Sequence, residues 1–217
     1  MAWDEALLEA VRRLAAPVLR FYGWKERAAT FGYFQRYAEV ERATLLRPLI
    51  RRPTGGGIVP HDADWTYSLV FPPGHAWYLL KAPDSYRRVH EWIQSAFSKL
   101  NIETTLAAGR LQSAIGNRQS AIPSACFAGY EKSDLLWHGR KIAGAAQRRN
   151  QSGLLIQGSV QPPLALERAA WQEAMREAAR EQFQIEWREL SPDEPLVALA
   201  GEFARQKYSQ TAYNRKR

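Results

Sequence analysis

The chain has 217 residues, with 30 Lys and Arg against 22 Asp and Glu, and so carries a formal net charge of +8. Its eight Trp, nine Tyr and eight Phe supply enough apolar surface to exclude an intrinsically disordered chain. One cysteine excludes an intrachain disulfide framework and is compatible with a reducing compartment. No apolar run reaches the roughly 18 residues of a transmembrane helix. The acidic start lacks a signal-peptide pattern, so the sequence predicts a soluble, cytoplasmic protein.

The first half of the sequence predicts one helix followed by strands. Apolar residues recur at helical spacing from Asp4 to Leu14, and Pro17 ends this helix. Aromatic and β-branched residues then dominate several short segments, which are typical of strands. The predicted strands are Val18–Trp24, Ala28–Phe34, Ile50–Arg52 and Trp65–Phe71.

The second half mixes helices and strands without strict alternation. A helix with an apolar stripe is predicted from Pro83 to Leu100, and a polar loop at 107–123. The later predicted elements are strands Ile102–Leu106, Ser133–His138, Lys141–Gln147 and Leu154–Gln161, and helices Leu164–Phe183 and Pro195–Tyr208. This order indicates an α+β fold with a mixed, largely antiparallel sheet flanked by helices. No repeat or flexible linker divides the sequence, so residues 1–217 are predicted to form one domain.

The segment 51–62 is the first candidate site. Its three consecutive glycines, Gly55 to Gly57, allow close approach of the backbone to a ligand and offer N–H donors to an anion or a carbonyl. Arg52 would add positive charge, and His61 a polar side chain. The segment lacks the lysine and Ser/Thr of a phosphate-binding P-loop and is not a Rossmann fingerprint. A flexible hairpin turn is the alternative interpretation.

The small-residue strand Gly139–Gln147 is the second candidate. Its lack of side-chain bulk would leave room for a ligand against the sheet. Lys141 would reach over that ligand and donate to a carbonyl or a phosphate. An ordinary surface lysine at a strand edge is the alternative interpretation.

Cys126 and the histidines are the remaining reactive side chains. Cys126 follows the polar loop, and basic neighbours such as Lys132 would lower its pKa if they fold close to it. A free cysteine is also commonly a small buried hydrophobic residue. The histidines show no metal-ligand spacing, so no metal site is predicted, and His90 is interpreted as a structural residue of a helix.

Several segments together resemble the family of lipoate-protein ligases and octanoyltransferases, which shares its catalytic fold with the biotin ligases. The resemblance runs in order through almost the whole chain, and its end is similar to that of cysteine-dependent octanoyltransferases. The matching segments are Met1–Leu8, Leu19–Trp24, Thr30–Gln35, Arg51–Gly57, His61–Asp62, Thr66–Ser68, Cys126–Phe127, Gly139–Gly144, Ala146–Gln147, Gly158–Ser159, Lys207–Tyr208 and Asn214–Arg217.

The resemblance implies a biotin/lipoate protein ligase-like domain in which an acyl chain lies in a tunnel against the sheet. In this family the Arg-Arg-x-x-Gly-Gly-Gly loop cradles the acyl group, and the lysine matching Lys141 contacts the acyl carbonyl. The cysteine matching Cys126 is the acyl-enzyme nucleophile of the octanoyltransferase branch. Cys126 and Lys141 are therefore the predicted catalytic residues. The predicted substrate-binding residues are Arg52, Thr54, Gly55, Gly56, Gly57, His61, Gly144, Ala145 and Ala146.

Three departures from the family pattern bear on these expectations. The chain begins at the Met-Ala-x-Asp-Glu-Ala helix, without the strand that usually precedes it, so we expect either a late start at Met1 or a sheet that lacks an edge strand. Gln157 stands where family members often have histidine. The segment Ala128–Asp134 differs from the usual proline-containing version, and we expect a changed acceptor surface.

The resemblance favours an octanoyltransferase that moves an octanoyl or lipoyl group from acyl carrier protein to a lysine of a lipoyl domain or of a glycine-cleavage H-like protein, without a cofactor. Attack by the Cys126 thiolate exchanges one thioester for another. Lys141 and backbone N–H groups would stabilise the oxyanion.

Two alternatives stay open. An ATP- and magnesium-dependent lipoate-protein ligase would hold a lipoyl-adenylate between Lys141 and the glycine loop, with Cys126 as a bystander. A non-catalytic acyl-binding or nucleic-acid-binding module is supported only by the basic charge. Attraction to acidic carrier domains explains that charge better, so we expect neither a nucleic-acid partner nor a membrane partner.

Overall fold

The computed structural model describes residues 1–109, 127, 129–162 and 165–216. The strands, in chain order, are β1 (Val18–Tyr22), β2 (Ala28–Phe31), β3 (Leu49–Arg51), β4 (Val59–His61), β5 (Trp65–Phe71), β6 (Thr105–Leu106), β7 (Leu135–Trp137), β8 (Arg140–Arg149) and β9 (Leu154–Val160). A central antiparallel sheet has the order β1-β5-β9-β8-β7-β6. A smaller sheet has the order β3-β2-β4, in which β2 and β3 are parallel.

Helices cover both faces of the central sheet. They are α1 (Ala2–Leu14), α2 (Tyr37–Ala43), α3 (Ala76–Leu79), α4 (Ala82–Lys99), α5 (Arg168–Phe183), α6 (Glu194–Phe203) and α7 (Thr211–Asn214), and the π-helical segment Ala204–Tyr208 continues α6. The structure is therefore α+β with a mixed, largely antiparallel pair of sheets, which confirms the predicted fold class.

The main hydrophobic core lies between the central sheet and the helices α4 and α5. Trp92 and Phe97 of α4 and Trp171 of α5 pack there against residues such as Tyr67 and Ile156 of the sheet. A second core on the opposite face joins α1 and α6 to β5 and β9. Every residue of β5 is buried, because this strand is covered on both faces. Its alternate side chains consequently reach different layers of the molecule.

Several predicted boundaries differ from the structure. The strands predicted to end at Trp24 and Phe34 end earlier, because the chain leaves the sheet; the Tyr33 N–H donates to the Thr54 carbonyl and not to a sheet partner. Only two residues of the strand predicted at 102–106 pair, and the helix predicted from 164 begins at Arg168. Of the predicted polar loop, residues 110–123 lie outside the described residues.

Four short elements are not predicted from the sequence: α2, α3, α7 and β4. Each has seven residues or fewer, which is too short for a helical or strand period to stand out. Strand β4 also contains Pro60, and it tolerates this proline because it pairs on one side only, as the edge of the smaller sheet. No helix in the described part of the chain has the length and apolar character needed to cross a membrane.

Glu5 of α1 ties the C-terminal helices to the start of the chain. Its carboxylate is buried and accepts hydrogen bonds from Lys207 Nζ at 2.6 and 2.7 Å and from the Tyr208 hydroxyl at 2.8 Å. Burial raises the pKa of Tyr208 far above its usual range, and the charge of Glu5 adds to this effect. The phenol therefore keeps its proton and serves as a donor.

We expect Glu5→Ala to lower the free energy of unfolding by about 2–3 kcal/mol, because it leaves the partly buried Lys207 ammonium without this counter-ion. Tyr208→Phe removes a single hydrogen bond and should cost about 1 kcal/mol. Urea unfolding followed by circular dichroism measures both losses. Glu9→Ala is the matched control: Glu9 lies one turn further along α1 and forms exposed hydrogen bonds to Asn150 and Ser152. Equal losses in the Glu5 and Glu9 variants would contradict this assignment.

Candidate functional site

A cleft of about 410 Å³, part of it open to solvent, lies between the central and the smaller sheet. Carbon atoms form most of the surface inside it. The residues that line it are Met1, Tyr22, Thr30, Arg52, Gly56, Val59, His61, Thr66, Gly144, Ala145, Ala146, Gln157, Gly158 and Ser159. Six of the predicted substrate-binding residues are among them.

The glycine-rich loop folds around the side chain of Arg52. This guanidinium group is buried, and it donates from Nη2 to the carbonyl oxygens of Gly55 at 2.8 Å and Gly57 at 2.9 Å. From Nη1 it donates to the Thr30 hydroxyl at 2.9 Å. The carbonyls of the loop thus point at a fixed cation, and the alternative of a flexible hairpin turn does not describe this segment.

Two glycines let the loop approach the smaller sheet. A Cβ on Gly32 would lie 2.0 Å from the Gly56 carbonyl oxygen, so a side chain at this position would push the loop away. Gly56 itself has a φ of +89°, a left-handed conformation that residues with a Cβ rarely adopt. The loop therefore needs glycine at both positions to form this wall of the cleft.

His61 belongs to a buried network on the same wall. Its Nδ1 lies 2.9 Å from Oδ2 of Asp64, and its Nε2 lies 2.8 Å from the Thr30 hydroxyl. The hydroxyl accepts from Arg52, so it has its own proton available for Nε2, and this arrangement assigns the Nδ1–H to Asp64. The Trp24 ring stacks on the imidazole with 4.1 Å between centroids. His61 thus lines the cleft with both ring nitrogens already engaged.

Thr54 and Gln157 connect the loop to the central sheet. The Thr54 hydroxyl donates to Oε1 of Gln157 at 2.8 Å, and Nε2 of Gln157 donates to Asp4 at 2.6 Å. Thr54 therefore acts behind the cleft surface rather than on it. The glutamine that replaces the family's frequent histidine occupies a fully hydrogen-bonded position, in which its amide bridges a hydroxyl and a carboxylate.

Lys141 is buried, and the alternative of an ordinary surface lysine is wrong. Its ammonium lies 2.7 Å from Oδ2 of Asp134, with 6% and 9% of the two side chains exposed. The lysine side chain runs across Gly144, where a Cβ would lie 2.7 Å from Cε and 2.9 Å from Nζ. The missing side chain of Gly144 thus makes space for the ammonium beside the cleft.

Residues 144–146 of β8 form the floor of the cleft. Gly144 pairs with Ser159 and Ala146 pairs with Gln157 of β9, so both lie on the sheet face that the cleft covers. A Cβ placed on Gly56, in the loop above this floor, would lie 3.6 Å from the Cβ of Ala146. The width of the cleft is therefore set by small residues on both sides.

Cys126, the predicted nucleophile, lies outside the described residues. The residue that follows it, Phe127, has its ring centroid 5.4 Å from the Lys141 ammonium. Sequence reasoning missed Thr30, Asp64 and Asp134, because each is an ordinary polar residue whose role comes from a partner distant in sequence or across a turn. Within the described ranges, no group of three or more His, Cys, Asp or Glu side chains is placed to hold a metal ion.

These features define a class of protein: an α+β domain whose glycine-rich loop covers a small-residue strand beside a buried lysine. Residues 1–182 match the model of the lipoyl protein ligase A/B catalytic domain. The match covers most of the chain, and the chain belongs to this family.

Curated relatives named octanoyltransferase LipM are similar to the chain. It is 34% identical to the protein of Staphylococcus epidermidis over 165 residues, and this match covers 74% of this chain and 60% of the relative. It is also 34% identical over 167 residues to the protein of Bacillus subtilis, with 74% and 59% covered. The chain thus spans about 60% of the length of the curated relatives it matches.

Solved structures share the fold at low sequence identity. A lipoate-protein ligase A bound with ATP superimposes with a TM-score of 0.77 at 22% identity, over 99% of this chain and 92% of the ligase. The bipartite lipoate protein ligase of Thermoplasma acidophilum superimposes with a TM-score of 0.71 at 20% identity, over 99% of this chain and 89% of that one.

We expect Thr30→Val to lower the free energy of unfolding by about 1–3 kcal/mol, because the buried groups of Arg52 and His61 both lose a hydrogen-bond partner while the side-chain shape is kept. Thermal or urea unfolding measures the loss. Thr104→Val is the matched control, since the Thr104 hydroxyl is buried with no partner in the described part of the chain. This control should be neutral or slightly stabilising, and a loss as large as that of Thr30→Val would contradict the role of the network.

Proposed function

We propose that the chain is the catalytic domain of an octanoyltransferase, which moves an octanoyl or lipoyl group from acyl carrier protein to a lysine of a lipoyl domain or of a glycine-cleavage H-like protein. The family membership and the names of the curated relatives support this reaction. The proposal assigns Cys126 as the nucleophile and Lys141 as the group that binds the acyl carbonyl. It needs no cofactor.

The cleft suits a straight acyl chain. Its surface is mostly carbon, and its floor is the strand of Gly144, Ala145 and Ala146. Each methylene transferred from water to such a surface contributes about 0.8 kcal/mol. The glycine-rich loop covers this floor at close range, so an unbranched chain fits between them better than a bulky group does.

The observation that carries the proposal is the buried Lys141 ammonium beside the cleft and close to Phe127, the residue directly after Cys126. A buried cationic donor is far more effective on developing negative charge than one in water. Groups of this kind typically contribute about 2.7–4 kcal/mol of transition-state stabilisation. The position of Phe127 supports a pairing of this donor with the cysteine next to it in sequence.

The chemistry proceeds in two exchanges. The Cys126 thiolate attacks the thioester carbonyl of the carrier, the Lys141 ammonium stabilises the oxyanion, and the C–S bond to the carrier thiolate breaks. The neutral amine of the acceptor lysine then attacks the Cys126 thioester. An amide forms, the Cys126 thiolate leaves, and the amine gives up a proton to solvent or to a neighbouring base.

The net charge of +8 supports acidic protein partners, because complementary charge accelerates association with a basic surface. A fold relative, the Thermoplasma ligase, was solved in a study that includes its E2 lipoyl domain. Acyl carrier protein as donor and a cytoplasmic location are parts of the same proposal; the donor comes from the sequence resemblance, and the location from the start of the sequence, which lacks a signal-peptide pattern.

A lipoate-protein ligase is the second candidate, since a fold relative is a ligase bound with ATP. In this reaction ATP and magnesium would be substrates, and Lys141 would contact a lipoyl-adenylate. Cys126 would then have no role in the chemistry. The two candidates therefore differ in their need for Cys126 and for ATP.

We expect the purified protein, incubated with octanoyl-acyl carrier protein, to gain one octanoyl group that hydroxylamine removes. Cys126→Ala should gain none, and Cys126→Ser should give a hydroxylamine-stable ester if it is acylated. Intact-mass spectrometry measures all three. A wild-type protein without adduct, together with ATP-dependent lipoylation by Cys126→Ala, would instead establish the ligase.

Lys141→Met should slow formation of the Cys126 adduct about 10²–10³-fold, because the oxyanion loses its buried donor while the length of the side chain is kept. Lys81→Met is the matched control, since Lys81 is an exposed lysine directly before α4 and does not line the cleft. Rapid-quench sampling followed by intact-mass spectrometry measures both rates. Equal rates in wild type and Lys141→Met would remove Lys141 from the mechanism.

A further inference from the structure

A tight turn fixes the carboxylate of Asp134 in place. The backbone N–H of Glu131 donates to Oδ2 of Asp134 at 2.8 Å, and the N–H of Asp134 donates back to the Glu131 carbonyl at 3.1 Å. Ser133, between them, has a φ of +71° in the left-handed region. Ala107 also holds the turn, because its carbonyl accepts from the Ser133 N–H and its own N–H donates to the Asp134 carbonyl. This carboxylate has little freedom to rotate or withdraw.

His90 supports the turn from helix α4. Its side chain is 1% exposed, and Nδ1 lies 2.6 Å from the Ser133 carbonyl oxygen. Burial lowers the pKa of His90 and outweighs the opposing effects of Asp134 and the Ser133 carbonyl, so the ring is neutral near pH 7. The one N–H of the neutral ring therefore lies at Nδ1 and donates to that carbonyl. The imidazole thus holds the peptide next to Asp134.

The turn presents its carboxylate to Lys141. The two charged groups are 2.7 Å apart, and their side chains are almost entirely shielded from water. A counter-ion at this distance holds a buried ammonium at one location. The pair is neutral overall, so its use to a reaction is a preorganised N–H donor rather than excess positive charge.

We propose that Asp134 is a positioning residue for Lys141, and that His90 holds Asp134 in position through the Ser133 carbonyl. The inference rests on the proposed acyl transfer, in which Lys141 meets the acyl carbonyl. One of the three ammonium N–H groups binds Asp134, and this contact directs the rest of the side chain across Gly144 toward the cleft. The carboxylate itself touches no reacting atom.

A double-mutant cycle tests the coupling of the two residues. Asp134→Asn in the wild-type background should lower kcat for octanoyl transfer by about tenfold or more, with KM changed less than about twofold, because ground-state binding in the cleft is untouched. The same substitution in the Lys141→Met background should have no further effect. Glu173→Gln, at an exposed carboxylate of α5 paired with Arg176, is the control and should leave both constants unchanged. Equal fold losses in both backgrounds would overturn the proposal.

The His90 position supplies an independent pair of variants if Asp134→Asn does not fold. His90→Asn keeps an amide N–H near the place of Nδ1 and should retain most of kcat, whereas His90→Leu should lose it. Circular dichroism melting of both proteins separates this effect from loss of the fold. Identical kcat in the two folded variants would exclude the supporting role of His90.

A readout without substrate separates this inference from the proposed function. Acetic anhydride labels amines that solvent reaches, so quantitative peptide mass spectrometry reports how well the Lys141 amine is shielded. Labelling of Lys141 relative to Lys132 should rise several-fold in Asp134→Asn. If the wild type forms no octanoyl adduct but this rise occurs, the pairing holds and the transferase proposal falls. If labelling does not change, Asp134 does not hold Lys141.

Discussion

The guanidinium group of Arg52 lies inside a turn whose own carbonyl oxygens are its hydrogen-bond acceptors. The carbonyl oxygens of Gly55 and Gly57 accept hydrogen bonds from Nη2, and the Thr30 hydroxyl accepts one from Nη1. A lysine would present a compact point charge in place of this planar fork and would not reach the three acceptors in one geometry. Since the glycines between these contacts have no side chains of their own to fix the loop, the conformation of the loop depends on the cation that it surrounds.

The same contact connects the two sheets. From Thr30 the hydrogen bonds continue through His61 to Asp64, and Asp64 also accepts from Ser159 of the central sheet at 2.6 Å. Polar groups at such a buried junction are favourable only when each has a partner, which makes the junction stiff and specific. Apolar side chains at the same place would have interdigitated and filled the space. The cleft therefore lies where the sheets are joined by hydrogen bonds rather than by a packed core.

The sequence was informative where a local pattern carries the structure. The aromatic and β-branched residues of Trp65–Phe71 and the apolar stripe of the helix ending at Lys99 each reflect a property of neighbouring residues, and both elements form close to their predicted positions. The partners of Arg52 and Lys141 were not predictable in this way. Thr30 is 22 positions from Arg52, and Asp134 reaches Lys141 only because a bulge and a turn bring them together. Contacts set by tertiary packing leave no period in the sequence.

Two adjacent carboxylates of α1 connect the cleft with the C-terminal helices. Asp4 is buried against the cleft, where it accepts from Gln157, Ser68 and Tyr22, while its neighbour Glu5 receives Lys207 and Tyr208. One turn of α1 thus connects the lining of the cleft with a segment that lies beyond residue 182, where the match to the family model ends. A displacement of the final helices would therefore act on α1 at the residue next to Asp4, whose partners Gln157 and Tyr22 line the cleft.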